Sequence, residues 1–248
     1  SFNSNEKIIR AMKESGCKKA SISIESASPQ VLKKMKKPVN LEKSLVLINE
    51  CKKIGLPITA NFVTGMHYET KEDMMMTFEW AEYAKPDWST FSILAPYPGT
   101  EIFDQCVEEG YLNTDTVDLE WFSHRNSAIE TDAWDKQWVT DKTYHYNLMI
   151  NFVKNHNLVG DGKNLDFAIG FFEYVALHHK KHLLGLIALS YAMKKKGEEI
   201  KAGELLERAL EIVDDPEVQE VFGPYLKMDE EIINYFHHWC EEREAAVA

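Results

Sequence analysis

Ala20-Ser21-Ile22-Ser23-Ile24-Glu25 alternates strictly, with Ile22 and Ile24 on one side and Ser21, Ser23 and Glu25 on the other, the period of a β-strand. Upstream, residues 5–15 carry Ile8, Ile9 and Met12 on one side of a helix that Gly16 is placed to end. Downstream, Asn40 caps a helix over 41–54 with Leu45, Ile48 and Cys51 inward and Gly55 at its end. The pattern then repeats. Residues 57–65 form a second strand, with Ile58, Ala60 and Phe62 opposite Thr59, Asn61, Val63 and Gly65. Thr70 opens a helix over 70–84 with a capping box to Asp73. Residues 88–95 form a third strand, Phe91 and Ile93 opposite Thr90, Ser92 and Leu94.

Each pair of strands is separated by the length of a crossover helix and two loops, so the sheet is expected to be parallel. The fold class is therefore α/β: part of a parallel βα (TIM-like) barrel. A simply packed barrel interior would be bulky and branched. Here one face instead carries Ser21, Ser23, Glu25, Thr59, Asn61, Thr90 and Ser92. Burying so many polar groups without partners is costly, so a ligand or water is expected on that side. Trp80, Phe91 and Ile93 are expected to be buried, and Ser23, Glu25 and Asn61 to face a cavity.

Three segments resemble one family. Residues 16–28, Gly-Cys-Lys-Lys-Ala-Ser-Ile-Ser-Ile-Glu-Ser-Ala-Ser, followed by Val31-Leu32-Lys33-Lys34-Met35, are similar to the fourth strand and next helix of radical S-adenosylmethionine enzymes. Residues 61–70, Asn-Phe-Val-Thr-Gly-Met-His-Tyr-Glu-Thr, resemble their fifth-strand segment. Residues 94–101, Leu-Ala-Pro-Tyr-Pro-Gly-Thr-Glu, resemble the sixth-strand end, most familiar in the branch with a cobalamin-binding domain. Together they cover roughly residues 5–112. The resemblance implies S-adenosylmethionine, a [4Fe–4S] cluster and, for that branch, cobalamin, serving hydrogen abstraction followed by methyl transfer or cyclisation. It implies ribose contacts from Ser23 and Glu25, adenosine packing from Asn61, Val63 and Gly65, and adenine contacts from Leu94 and Ala95. Glu25 has a second reading, as partner of a lysine in a structural ion pair.

The sequence departs from that family in three places. Asn61 replaces the common Gly, and Met66-His67-Tyr68 replaces Leu-Pro-Gly, making His67 either a substrate-side acid or base or a hydrogen-bonding loop residue. The family's CxxxCxxC loop is absent: Cys17, Cys51, Cys106 and Cys240 are far apart and supply no CxxC, zinc or secreted disulfide pattern. Without closely spaced thiolates the cluster cannot be held, so the 248 residues alone are not expected to perform the radical chemistry. The expected partner is an N-terminal radical SAM half, in the same gene product or as a separate subunit. Ser1-Phe2-Asn3-Ser4 has neither an initiating Met nor a secretory pattern, so the chain is expected to be either processed or, the preferred reading, cut from something longer.

The formal charge is −12, which excludes a generally basic nucleic-acid binder, and no apolar run reaches the roughly 20 residues of a membrane span. Scattered thiols point to a reducing cytoplasm. Charge is uneven: residues 1–60 carry 12 basic and 5 acidic side chains, the rest 16 and 35. Lys33, Lys34, Lys36 and Lys37 are either a solvated surface or a local basic patch for an anionic substrate or partner chain.

Residues 1–112 are expected to form the barrel part, 113–140 an irregular connection, and 141–248 a helical domain. Trp121, Trp134 and Trp138 in the connection are expected to seal the barrel or line a pocket, and His124-Arg125 could meet an anion. Helices are expected at 141–158, 165–196, 198–213, 216–226 and 229–245, residues 188–216 resembling a single tetratricopeptide hairpin. His178 and His182 would then stand one turn apart, a metal-like spacing that the adjacent lysines oppose, and His237-His238-Trp239-Cys240 reads as structural. The competing hypothesis is a non-catalytic fragment or subunit whose helical half binds a protein partner.

Overall fold

A computed structural model of the chain describes residues 6–113, 125–160 and 162–247. The chain divides into two compact units, Ser1–Asn147 and Leu148–Ala248.

The first unit is built on three strands, β1 (Ala20–Glu25), β2 (Ile58–Thr64) and β3 (Trp88–Ile93), ordered β1-β2-β3 and all parallel. The fold is thus mixed α/β, a partial parallel βα barrel followed by an all-α unit. Among the described residues β1 pairs on one side only, leaving a strand edge. The helices are α1 (Glu6–Glu14), α2 (Pro29–Lys34), α3 (Leu41–Ile54), α4 (Lys71–Ala84), α5 (Glu101–Glu108) and α6 (Lys136–Leu148). Local chemistry explains their ends. The Asn40 side chain accepts from the Lys43 N–H at 2.8 Å, and Gly55 closes α3 at φ +66°, a left-handed cap that costs glycine little. Thr70 and Asp73 make the reciprocal capping box at the start of α4.

The core lies between the sheet's apolar face and α3 and α4. Ile22, Ile24, Ile58, Ala60, Phe62, Phe91 and Ile93 are buried, with Phe62 stacked on Phe91 at 4.9 Å. Some expectations shift. On α3 the buried residue is Leu47 rather than Leu45, which is half-buried, and on α1 Ile9 is buried while Ile8 is exposed. Trp80 is half-buried, meeting Phe62 edge-on at 6.2 Å from the rim of the core. Thr59 is buried, its hydroxyl directed at the Ala20 carbonyl, and does not join the exposed polar face.

The second unit contains a π-helical stretch (Met149–Val153) and α7 (His156–Val159), α8 (Leu165–His178), α9 (Leu183–Lys195), α10 (Glu199–Val213), α11 (Pro216–Leu226) and α12 (Glu231–Val247). The single helix expected over 165–196 is two. His182 accepts the Gly185 N–H on its ring Nδ1 at 2.9 Å and so caps a new helix, which also removes the one-turn pairing with His178. The His182 ring lies between Phe152 at 4.7 Å and Phe222 at 5.0 Å, where burial lowers its pKa to about 4. α9 is buried almost throughout, and Ser190 ties it to α10 by donating to the Ala202 carbonyl at 2.8 Å.

Candidate cofactor-binding face

Register builds the polar face. Ser23 stands opposite Asn61, and Asn61 opposite Thr90, so one polar row crosses all three strands. Ser21, Ser23 and Thr90 are exposed, Asn61 and Ser92 half-buried, and the Asn61 amide donates to the Ser21 hydroxyl at 3.2 Å. Hydroxyls, an amide and, two residues along β1, a carboxylate together can donate to and accept from a polar ligand.

Glu25 ends β1 where the β1–β2 register slips, at φ +67°, a conformation that costs a non-glycine residue about 1–2 kcal/mol. Its carboxylate accepts from Lys37 at 3.1 Å, the lysine half-exposed and the glutamate 13% exposed. Ser23 and Glu25 line a cleft of about 300 Å³ along the open side of β1, together with Lys37, Asn40 and Leu47 and with Ile22 from the face expected to lie wholly in the core. Asn61 is not among the residues that line it, so the three side chains expected to share one cavity divide between the cleft and the open sheet face.

The other expected residues lie at the carboxyl ends of β2 and β3. Val63 is half-buried, while Leu94 and Ala95 are buried, the Leu94 N–H being used in a bond to the Thr64 carbonyl at 2.8 Å. Gly65 is at φ +78°, and the space a Cβ would take lies 3.3 Å from Val139 and 3.4 Å from Ile93, with Trp134 at 3.9 Å. On that side the chain's own side chains, rather than open space for a ring, require the glycine.

A buried lock fixes these strand ends. The Ser28 hydroxyl donates to Asp73 at 2.5 Å, Gln30 donates to both Asp73 oxygens, and the Thr70 N–H donates to the same carboxylate at 3.0 Å. The Ser26 hydroxyl meets that of Thr77 at 3.1 Å. Burial opposes ionisation of Asp73, yet the donors from Ser28, Gln30 and Thr70 outweigh it and hold its carboxyl below the usual range. The turn after β1 is thereby bolted to the start of α4.

The β2–α4 loop holds two further titratable groups. Glu69 is 1% exposed, one oxygen accepting the Met66 N–H at 3.1 Å and the other lacking a partner, so burial raises its pKa to about 8. Its backbone carbonyl accepts the buried Trp134 indole N–H at 2.8 Å. His67 is buried beside Tyr68 with Nδ1 unpartnered, and burial lowers its pKa. It is therefore neither a surface residue nor a loaded acid at neutral pH. Sequence alone gave Glu69 no role, although it stands within the 61–70 segment of the family resemblance and just before the Thr70 cap.

Of the connecting tryptophans, Trp134 is buried and Trp138 lies under the Lys71 ammonium at 5.0 Å, while Trp121 and His124 fall outside the described residues and Arg125 is exposed. No iron–sulfur cluster fits here: all four cysteines are free, Cys51 and Cys106 are buried, and among the described residues no group of three His, Cys, Asp or Glu could hold a metal ion. No described helix is long and apolar enough to cross a membrane.

Parallel strands with a polar row across them define the class, a partial βα barrel with a ligand-type face. Residues 1–81 match the family model of the Radical SAM superfamily. It is similar to an uncharacterised methyltransferase of Pyrococcus horikoshii, 36% identical over 110 residues, covering 44% of this chain and 24% of that one. It is also similar to the cytidylyl-2-hydroxyethylphosphonate methyltransferase of Streptomyces wedmorensis (26% over 155 residues, 59% and 29%). A third relative is the anaerobic magnesium-protoporphyrin IX monomethyl ester cyclase of Rubrivivax gelatinosus (22% over 138 residues, 56% and 24%). The chain spans about a quarter of the length of these curated relatives.

Proposed function

We propose that this chain is the C-terminal part of a radical SAM enzyme that reductively cleaves S-adenosylmethionine to modify its substrate, by methyl transfer or cyclisation, with cobalamin as a further cofactor. The observation that carries the proposal is the polar row Ser23–Asn61–Thr90 on a sheet whose first two strands lie in the segment that matches the superfamily model. Methyltransferases and a cyclase among the similar proteins support the reaction class.

Ser23 and Glu25 would hold the ribose hydroxyls, Asn61 and Val63 would pack the adenosine, and Gly65, Leu94 and Ala95 would bound the adenine. S-adenosylmethionine, when bound, supplies the reactive carbon and sulfonium. The chain's own residues bind and orient, because nothing among them holds the cluster. That cluster would belong to an N-terminal half carrying CxxxCxxC, in the same gene product or a separate subunit, seated along the open edge of β1. Four free thiols favour work in the cytoplasm.

The test is Glu25→Ala in the assembled protein that carries the cysteine loop. S-adenosylmethionine affinity by calorimetric titration should fall about ten- to a hundredfold, the effect of losing a charge-assisted hydrogen bond. The melting temperature should move little, because the pair with Lys37 is half-solvated. Unchanged affinity with a large loss of stability would overturn the ribose assignment. A cluster reconstituted on these 248 residues alone would overturn the division of labour.

A further inference from the structure

The geometry points to a second ligand site in the first unit: a cleft bounded by Lys34, Lys36, Tyr68 and Ile102 that takes an organic anion with an apolar body. The cleft has a volume of about 330 Å³ and is lined from the stretches that follow each strand: residues 34–36 at the end of α2, Met66 and Tyr68 after β2, and Thr100, Glu101, Ile102 and Gln105 at the start of α5. Its walls thus follow the carboxyl ends of all three parallel strands, the side on which βα folds place their ligands.

Charge sets the sign of the ligand. The Lys34 ammonium sits 4.8 Å from the centre of the Tyr68 ring and has no ion-pair partner among the described residues. Lys36, held at φ +56°, reaches Glu101 at 3.4 Å, with both side chains about three-quarters exposed. Such a solvated pair is worth little, so an incoming anion can replace Glu101 at Lys36 at small cost. Two cations against one carboxylate, on a chain of net charge −12, make this a local positive site. The walls set the ligand's body. Met35, Met66 and Ile102 give an apolar, adaptable lining, and the Tyr68 ring offers a flat face. A small inorganic anion would leave those surfaces unused.

Calling this anion the substrate rests on the function proposed above, whereas its binding does not, and the experiment separates the two. The probe is 1-anilinonaphthalene-8-sulfonate, titrated by fluorescence onto the full chain, with uncharged N-phenyl-1-naphthylamine as its counterpart. The component of sulfonate binding that responds to substitution should weaken about fivefold in Lys34→Gln and strengthen in Glu101→Gln, which frees Lys36. It should also fall with salt, while the uncharged probe responds to neither substitution. Excess S-adenosylmethionine should leave it in place. Sulfonate binding indifferent to both substitutions, or equal loss of both probes in Lys34→Gln, would show no anion site. Displacement by S-adenosylmethionine would return the cleft to the cofactor and overturn a second site. Failure of the Glu25 test would leave this result standing.

Discussion

The hydroxyl of Ser28 donates to the carboxylate of Asp73 at 2.5 Å across 45 positions of chain, joining the turn after β1 to the first turn of α4. Asp73 is 2% exposed and also receives Gln30 and Thr70, so its removal strands the buried Ser28 and half-buried Thr70 donors, while the exposed Gln30 can turn to water. Asp73→Ala should lower unfolding free energy by about 3 kcal/mol, and Ser28→Ala by about 1 kcal/mol. The Asp73 carboxyl is held below its ordinary value, so its stabilisation is present above the unfolded pKa and is lost as pH falls through the folded one. Urea unfolding at pH 7 and pH 3 checks this: the gap between wild type and Asp73→Ala should shrink in acid.

Glu69 predicts the opposite slope. Its folded pKa of about 8 lies above its ordinary 4.5, so the folded chain keeps a proton that the unfolded chain releases. Stability attributable to this group therefore falls as pH rises from 4.5 to 8 and is level above that. Glu69→Gln should be more stable than wild type at pH 8 and should converge with it near pH 5. A difference that does not vary with pH would mean that Glu69 is ionised in the folded protein.

In the helical unit, His182 should confer acid sensitivity. Its folded pKa of about 4 is below the unfolded 6.5, so protons favour the unfolded chain as pH falls from 6.5 to 4, with a loss of roughly 3 kcal/mol. His182→Asn keeps a side-chain acceptor for the Gly185 N–H and removes the titration. Its melting temperature should be lower at pH 7, where the ring contacts with Phe152 and Phe222 are lost, and should decline less between pH 6.5 and 4.5.

Gly65→Ala should destabilise the first unit by about 1–3 kcal/mol, through its left-handed backbone and the contact with Val139. Gly65→Ala combined with Val139→Ala should recover the crowding part and leave the backbone part, which thermal melts of the three variants can separate.

The strands and their parallel pairing are legible in the alternation at residues 20–25 and in the spacing of the repeats, because strand period and crossover length are local properties. The Thr70–Asp73 cap is legible for the same reason. The Ser28–Asp73 bond is not, since nothing near either residue specifies a partner 45 positions away. The break at 179–182 is hidden because His178-His179-Lys180-Lys181-His182 contains no glycine or proline to mark a helix end, and only the ring nitrogen's bond to the Gly185 N–H shows the new start. The role of Gly65 is partly legible: its motif suggests a close approach, but what approaches is Val139 and Trp134, from a segment read as irregular connection. The polar row reads correctly in outline, while Thr59 leaves it, buried with its hydroxyl directed at the Ala20 carbonyl.

The open side of β1 has a colloidal consequence. Half of that strand's amide and carbonyl groups point along the sheet plane toward no described strand, and such a ladder is a template for another extended chain. Concentrated solutions of these residues should therefore self-associate edge to edge, more readily as salt screens Lys37 and Lys43 beside the cleft, and a short parallel strand supplied in trans should act as a solubilising chaperone for the preparation.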